Sequence, residues 1–533
     1  MYYCASMAGV AERIVRRLRD AGVRTLFGVP GGGSSLELID AASRAGLRFV
    51  LTATETAAAI AASAQAEMTG RPGACLTGLG PGASSAVNGV AAAWLDRVPL
   101  IVFTDGQAAG QDCEHQRLPL AAMFAHIAKR SCRLVANTAD AVVAAALDAA
   151  VSDQPGPVHI EWPVGVSDAE QPSGPPYLRA RQTGTASPDF DRRLSAARKP
   201  ILIAGLGSRS PDDAQAVRSF CERRGVPAMV TYKAKGVVPD AHPWFAGVFT
   251  NAVIEQELLR ECDLVIGAGL DPVELLPRPW PVPAPAVYAG RWVVPGNHVP
   301  FAAQFIGSIA DALSKHHTTG DTIWPREFVC QAVAEQRQRV SIPAQGLSAQ
   351  QVVQIAASRL SATARVTVDA GAHMFAATMF WPVADPNGML ISNGLSTMGF
   401  ALPAAIGASL LDQDRPVVAL TGDGGLLMCL GELATAARER LRVIVLVFND
   451  ASLSLIEIKQ QARRFAPAGL ALPPIDWPAL ARSFGLTAFA ASGEDELDEA
   501  VIAAMACAGP CLIDARIDRT NYAETVKAVR GNI

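Results

Sequence analysis

The chain has 533 residues, with 46 Lys and Arg against 50 Asp and Glu, for a formal charge of −4. Half of the residues are hydrophobic and only 18% are charged, the composition of a packed chain and not of a disordered one. The near-neutral balance, with no basic block, excludes nucleic acid as the main partner.

In chain order, Glu12, Arg13, Arg16 and Arg17 interrupt the N-terminus before a signal-peptide core could form. Short β-rich runs then alternate with longer Ala- and Leu-rich stretches. Strands are predicted at Thr25–Val29 and Arg48–Thr52, a helix at Glu55–Met68, and strands at Ala74–Thr77, Leu100–Thr104 and Val158–Trp162. The polar, proline-rich stretch from Ser167 to Lys199 reads as a linker. A middle segment follows, with strands at Ile201–Ala204, Ala228–Thr231 and Leu264–Ala268. Ser314 to Arg326 is a second polar break, and its pair His316-His317 reads as solvated. The last segment has strands at Val366–Asp369, Val417–Thr421, Val443–Phe448 and Cys511–Arg516. Apolar strands bounded by Gly and joined through helices predict parallel sheets covered by helices. The expected fold is α/β, with three consecutive parallel-sheet α/β domains at 1–166, 185–335 and 345–533. Ten cysteines without a CxxC pair indicate neither a zinc site nor a disulfide framework. No apolar run reaches the ~18–20 residues that cross a bilayer. A cytoplasmic protein with no membrane partner is the expectation.

The most informative motif is Gly422-Asp423-Gly424-Gly425, directly after the strand Val417–Thr421. A helix is predicted next, from Leu426 to Glu439, and then a strand ending in Asn449-Asp450. A strand–helix–strand unit of this size returns the chain to a parallel neighbour, so both strand ends reach one edge of the sheet. At that edge Asp423 and Asp450 can share a hard cation, with a backbone carbonyl near Ser452 as a further ligand. Mg²⁺ prefers a few such oxygens plus substrate phosphates. The glycines admit a diphosphate to the backbone, and the helix N-terminus adds favourable partial charge.

This pattern resembles the thiamine diphosphate (ThDP) fingerprint, in which GDG is followed some two dozen residues later by Asn-Asn. Asp450 departs from it by replacing the second Asn, which keeps an oxygen ligand and adds charge. Further landmarks are similar to the acetohydroxyacid synthase and 2-oxoacid decarboxylase superfamily. They include Phe27-Gly28-Val29-Pro30-Gly31-Gly32, Gly80-Pro81-Gly82-Ala83, Asp96-Arg97-Val98-Pro99-Leu100 and Asn393-Gly394-Leu395-Ser396-Thr397-Met398-Gly399. The resemblance implies pyrimidine-binding, central and diphosphate-binding domains in that order. It also implies a glutamate against N1′ of the aminopyrimidine, which drives the tautomer whose N4′ removes the C2 proton. Glu55 is in that position, where burial would keep a carboxyl group protonated. Met398 matches the apolar wedge that bends the cofactor, with the Ser396 carbonyl beside the pyrimidine amine. His373 matches a histidine on the diphosphate side, and Gly31, Gly32 and Gly33 fall in the substrate pocket.

Gln116 and Lys129 have the spacing of a Gln and a Lys that line the acetohydroxyacid synthase site, although Arg117 and Arg130 replace their usual neighbours. The run from Leu453 to Gln460 lacks the Trp that selects the acceptor oxoacid. In the middle segment, Gly205-Leu206-Gly207 and Gly267-Ala268-Gly269 follow strands where some relatives bind FAD and others ADP. A lone GxG is a weak signal, and Gly247-Val248-Phe249-Thr250 lacks the Met-His-Gly common in FAD binders, so FAD is not favoured. The expected activity is decarboxylation of a 2-oxoacid with transfer of the remaining fragment to a second carbonyl, in a homodimer or homotetramer. The alternatives are simple decarboxylation to an aldehyde and a non-catalytic subunit that keeps the fold.

Overall fold

The computed structural model describes residues 8–107, 115–135, 138–166, 188–296, 298–314, 316, 322–361 and 364–531. Its strands form three six-stranded parallel sheets. The first contains β1 (Thr25–Gly28), β2 (Arg48–Leu51), β3 (Gly73–Thr77), β4 (Leu100–Gly106), β5 (Arg130–Arg133) and β6 (Val158–Pro163), in the order β2-β1-β3-β4-β6-β5. The second contains β7 (Pro200–Ala204), β8 (Ala228–Val230), β9 (Phe245–Val248), β10 (Leu264–Ala268), β11 (Ala286–Gly290) and β12 (Phe301–Ile306), in the order β12-β11-β10-β7-β8-β9. The third contains β13 (Arg365–Val368), β14 (Met389–Ile391), β15 (Val417–Gly422), β16 (Val443–Asn449), β17 (Thr487–Ala491) and β18 (Cys511–Arg516), in the order β14-β13-β15-β16-β18-β17. Sheets one and three share one topology. The middle sheet instead has the 3-2-1-4-5-6 order of dinucleotide-binding folds.

The chain folds as two compact units. One comprises Met1–Ala180, Gly394–Asp414 and Cys429–Val443; the other comprises Arg181–Asn393, Arg415–Met428 and Ile444–Ile533. In the first unit, the Ala-rich helix Glu55–Thr69 is buried continuously from Ala57 to Ala66. Its small side chains allow neighbouring backbone to come close. A Cβ at Gly89, in helix Gly80–Leu95, would lie 2.7 Å from the Ala59 Cβ. One at Gly407, in helix Ala401–Leu411, would lie 2.2 Å from the Ala61 carbonyl oxygen. The Gln65 amide also donates to the Gly407 carbonyl at 3.0 Å. These contacts fix the helix whose first residue is Glu55.

In the second unit one apolar core runs through both sheets, from Leu202 and Val230 to Val366, Leu420 and Ile513. Two buried lysines join the sheets. Lys233 donates to the Ile391 carbonyl at 3.0 Å, and Lys235 bridges Asp240 at 3.0 Å and the Thr378 carbonyl at 2.9 Å. Such charges are tolerated in a core only because acceptors meet them.

Three expectations are corrected. The end of the proposed linker is helical, Pro188–Ala196, while residues 167–187 lie outside the described part. His316 is buried, with Asp191 at 3.0 Å and Ser195 at 3.3 Å, because that helix supplies partners for both ring nitrogens; His317 lies outside the described residues. The helix expected from Leu426 to Glu439 is two short ones, Asp423–Met428 and Glu432–Arg438. The chain breaks between them, and the buried Glu432 carboxylate accepts from the Ala53 and Thr54 N–H groups.

The Gly407 contact can be tested directly. Gly407→Ala should destabilise the protein by about 1–3 kcal/mol, the usual cost of overpacking, as read from guanidinium unfolding. Unchanged stability would mean the two helices do not approach this closely.

Candidate active site

In the first sheet the strand order reverses between β1 and β3, and the loops after these strands meet at the carboxyl edge where α/β sheets take ligands. A Cβ at Gly31 would lie 2.7 Å from the Gly78 Cα and 2.3 Å from an Asp105 carboxylate oxygen, so no larger residue fits. Asp105 holds this loop by accepting from the Gly33 N–H at 3.2 Å, the Ser35 N–H at 2.7 Å and the Ser35 hydroxyl at 3.0 Å. Gly32 is left exposed between its two neighbours. Burial raises the pKa of Asp105. Sequence reasoning missed this residue; the signal was an acid ending an otherwise apolar strand.

Glu55 opens its helix after Thr54, whose hydroxyl accepts from the Ala57 N–H. Its carboxyl group is half-buried, less than expected, and lies beside Gly82, where a Cβ would come within 2.9 Å of it. The same turn meets Gln116, since a Cβ at Gly80 would lie 2.4 Å from the Gln116 carbonyl oxygen. Gln116 has φ +64 and lines a cavity of about 490 Å³ with Gln107, Arg117, Arg133 and Glu161. Lys129 is not in that wall. Its ammonium donates to the Ser152 carbonyl at 2.9 Å and the Ser152 hydroxyl at 2.7 Å, so Gln116 and Lys129 are not brought together.

The same unit holds the Gly394–Met398 segment. Asp96 accepts from the Gly394 N–H at 2.9 Å, which gives the Asp96-Arg97-Val98-Pro99 motif its structural role. Ser396 is exposed at φ +54, and Met398 is half-buried. Glu432 is the other residue missed from sequence. It is fully buried, accepts from the Ala53 and Thr54 N–H groups at 2.9 and 3.1 Å, and takes the Thr435 hydroxyl at 2.8 Å. Burial pushes its pKa up to about 7.

In the second unit, the switch point of the third sheet lies between β13 and β15. There the Asp369–His373 loop faces the Gly422–Gly425 turn. The buried Asp369 accepts from the Thr421 hydroxyl at 2.9 Å, and a Cβ at Gly425 would lie 2.4 Å from its carboxylate. The His373 ring stacks on Phe448 with centroids 4.9 Å apart, and a Cβ at Gly422 would lie 3.5 Å from the ring. Burial lowers the His373 pKa to about 4, so the ring is neutral at pH 7. Its Nε2 is buried without a hydrogen-bond partner. A buried ring nitrogen left open at this edge can meet a phosphate oxygen when it carries the ring proton and donates it.

Asp423 and Asp450 are brought together at the same edge. Asp423 accepts from the Gly424 N–H at 2.7 Å, the Asp450 N–H at 3.3 Å and the Ala451 N–H at 2.7 Å. Asp450 accepts from the Ser452 N–H at 3.0 Å and the Ser454 hydroxyl at 2.6 Å. Burial raises the pKa of both, and it carries Asp450 to about 6 with a further push from the Asp423 charge. Two acids that repel each other at one sheet edge have the chemistry to take a hard cation. Among the described residues no group of three or more His, Cys, Asp or Glu gathers as a metal site. The remaining ligands would be carbonyl and phosphate oxygens.

Comparison with known proteins decides the family. Residues 9–127 match the N-terminal TPP-binding domain of thiamine pyrophosphate enzymes, residues 191–313 their central domain and residues 369–515 their C-terminal TPP-binding domain. The chain belongs to the ThDP-dependent enzymes. It is 30% identical to the acetolactate synthase isozyme 1 large subunit of Escherichia coli (strain K12), over 95% of this chain and 94% of that protein. It is 29% identical to the catabolic acetolactate synthase of Raoultella terrigena, over 95% of each chain. It is equally 29% identical to a probable 2-ketoarginine decarboxylase of Pseudomonas aeruginosa, over 95% of this chain and 93% of that one. Within the family it is a ThDP-dependent carboligase or decarboxylase. Among the described residues, no helix is long and apolar enough to cross a membrane.

The acid pair predicts a pH dependence of cofactor binding. In the empty protein the Asp450 pKa is raised from 3.8 to about 6. Its contribution therefore favours the folded empty protein below pH 3.8 and is lost as pH rises through about 6. A cation bound there must displace a proton below about pH 6. The affinity for ThDP with a divalent cation should thus fall up to about tenfold per pH unit below that point and stay flat above it. Calorimetric titration between pH 5 and 8 measures this, and a flat profile would remove Asp450 from the site.

Proposed function

We propose that this enzyme uses Mg²⁺ with ThDP to decarboxylate a 2-oxoacid and join the remaining fragment to a second carbonyl, as an acetolactate synthase does. The observation that carries the reading is the unpartnered Nε2 of His373, whose ring packs against Gly422, at the same sheet edge as the acid pair Asp423 and Asp450. Asp423, Asp450 and the Ser452 carbonyl would hold Mg²⁺, and the Gly422–Gly425 turn with His373 would take the diphosphate. Glu55 would hold a proton at N1′ of the pyrimidine, with the Ser396 carbonyl at the amine and Met398 as the wedge. Bound ThDP supplies a carbon nucleophile for the substrate carbonyl and a sink for the electron pair left as CO₂ departs. Gln116 and the Gly31–Gly33 loop would meet the substrate. Lys129, already bonded to Ser152, is left out of this assignment.

Glu55 is half-buried, with exposed Ala53 and Thr54 before it. An N-terminus of this kind suits a site completed by a second copy, Glu55 of one subunit facing the Asp423 turn of another. Sedimentation should then show the active species at no less than twice the 55.8 kDa of one chain. An active monomer would contradict this.

A second reading is decarboxylation alone, with release of an aldehyde. It is supported by the 29% identity to the probable 2-ketoarginine decarboxylase. The helix Ser454–Ala462 also lacks a Trp to select an acceptor. Incubation with pyruvate alone separates the two: acetolactate supports the first reading, and acetaldehyde the second.

The role of Glu55 is tested by Glu55→Gln. The amide can still hydrogen-bond to N1′ but has no proton to deliver, so ThDP binding should weaken by only ~1–2 kcal/mol. Turnover should fall ~10²–10⁴-fold. Exchange of the ThDP C2 proton for deuterium, followed by NMR after acid quench, should slow in parallel. Exchange at the wild-type rate would assign activation of the cofactor to another group.

A further inference from the structure

The central sheet has the strand order of a dinucleotide-binding fold, with its switch point between β7 and β10. In such folds the N–H groups of the Gly-rich turn after the first strand, and of the helix that follows, receive the phosphates. Here those donors are already used. The Gly205 N–H donates to the Ala268 carbonyl, Gly207 to Gly269 and Ser208 to Gly205, each at 2.9 Å. The Leu206 N–H donates to the Glu274 carboxylate, also at 2.9 Å. In the following helix, Pro211–Arg224, the Asp213 N–H is capped by the Ser210 hydroxyl, and the first turn carries the acids Asp212 and Asp213.

Glu274 is the acceptor in this turn. It is buried, and it also accepts from the Asp271 N–H at 3.2 Å and from the Thr231 hydroxyl. Burial lifts its pKa to about 7. The glycines serve contact between loops, not access to a ligand. A Cβ at Gly205 would lie 2.4 Å from the Leu270 Cα and 2.7 Å from the Glu274 carboxylate. One at Gly269, φ +62, would lie 2.6 Å from the Gly207 carbonyl carbon. One at Gly207 would lie 3.2 Å from the Trp292 ring, which packs against the same turn. The nearby guanidinium groups are engaged as well, Arg209 with the Leu206 carbonyl and Arg291 with Asp213, each at 2.9 Å.

The residues present therefore do not fit a nucleotide diphosphate. We infer that the Glu274 carboxylate stands in for a nucleotide phosphate at this switch point, so that the central domain is closed by its own side chain and takes neither FAD nor ADP. This goes beyond the proposed reaction and does not depend on it.

The test uses the full-length protein purified with ThDP and Mg²⁺. Denaturation and chromatography of the released small molecules should give ThDP but neither flavin nor adenine nucleotide. Millimolar FAD or ADP should leave Tm unchanged. Stoichiometric flavin or adenine nucleotide, or a saturable rise in Tm with either, would overturn the inference. Glu274→Gln keeps an acceptor for both backbone N–H groups and should hold a Tm near wild type, while Glu274→Ala leaves both unpaired and should lower Tm or abolish folding. An alanine variant as stable as wild type would show that the carboxylate does not close the turn.

Discussion

Every parallel sheet gathers unpaired N–H groups at its carboxyl edge, where loops turn into helices, and something negative has to meet them. In this chain each of the three sheets places a buried carboxylate there. Asp105 accepts from Gly33 and Ser35 in the first, Glu274 from Leu206 and Asp271 in the second, and Asp423 from Gly424, Asp450 and Ala451 in the third. A buried carboxylate costs several kcal/mol unless hydrogen bonds compensate it. What distinguishes the three edges is what remains after that compensation. The second edge is closed. The third keeps two mutually repelling acids and an imidazole nitrogen without a partner, and so it alone asks for both a cation and an anion.

The strand pairs flanking each switch point were legible in the sequence because buried parallel strands are short apolar runs ending in Gly or Asp. Six strands were not. β5, β14 and β17 lie at sheet edges, where one side has no neighbour to demand apolar residues; β5 reads Arg-Ser-Cys-Arg and β14 has three residues. β9 and β11 carry Gly, and β12 carries Gln304, whose side chain bonds the Val294 backbone instead of packing in the core. The approach of Asp423 to Asp450 was legible because their motif is local to two strand ends, whereas His373, after β13, was suggested only by the family resemblance. Gln116 and Lys129 were paired because their spacing resembles that of a family Gln and Lys, and such a resemblance does not show that the Lys129 ammonium has Ser152 at 2.7 Å.

The middle domain shows the same limit in another form. Gly205-Leu206-Gly207 looks alike in sequence whether it cradles a phosphate or a carboxylate, because either use needs backbone close to backbone. Only Glu274, 68 positions after Leu206, separates the two cases. The same residue ties this domain to the third sheet, since its carbonyl accepts from the Asn393 amide at 3.1 Å, two residues beyond the end of β14. Lys233 holds the Ile391 carbonyl on that strand. A closed central domain thus still has a task, which is to fix the strand end that leads into Gly394–Met398.

Two glutamates show how environment assigns roles that composition cannot. Glu55 and Glu432 are each the first residue of a helix, where the helix dipole favours an acid. By helix position alone both read as an acid in a first turn. Glu432 is buried with three donors on its carboxylate, two of them the N–H groups of Ala53 and Thr54. A group so fully satisfied holds backbone and has nothing left to exchange with a ligand. Glu55 follows directly on the backbone that Glu432 holds, and among the described residues its carboxyl group makes no hydrogen bond or ion pair and faces Gly82. The satisfied acid fixes the turn, and the unsatisfied acid at the end of that turn keeps a carboxyl group that a ligand can still meet.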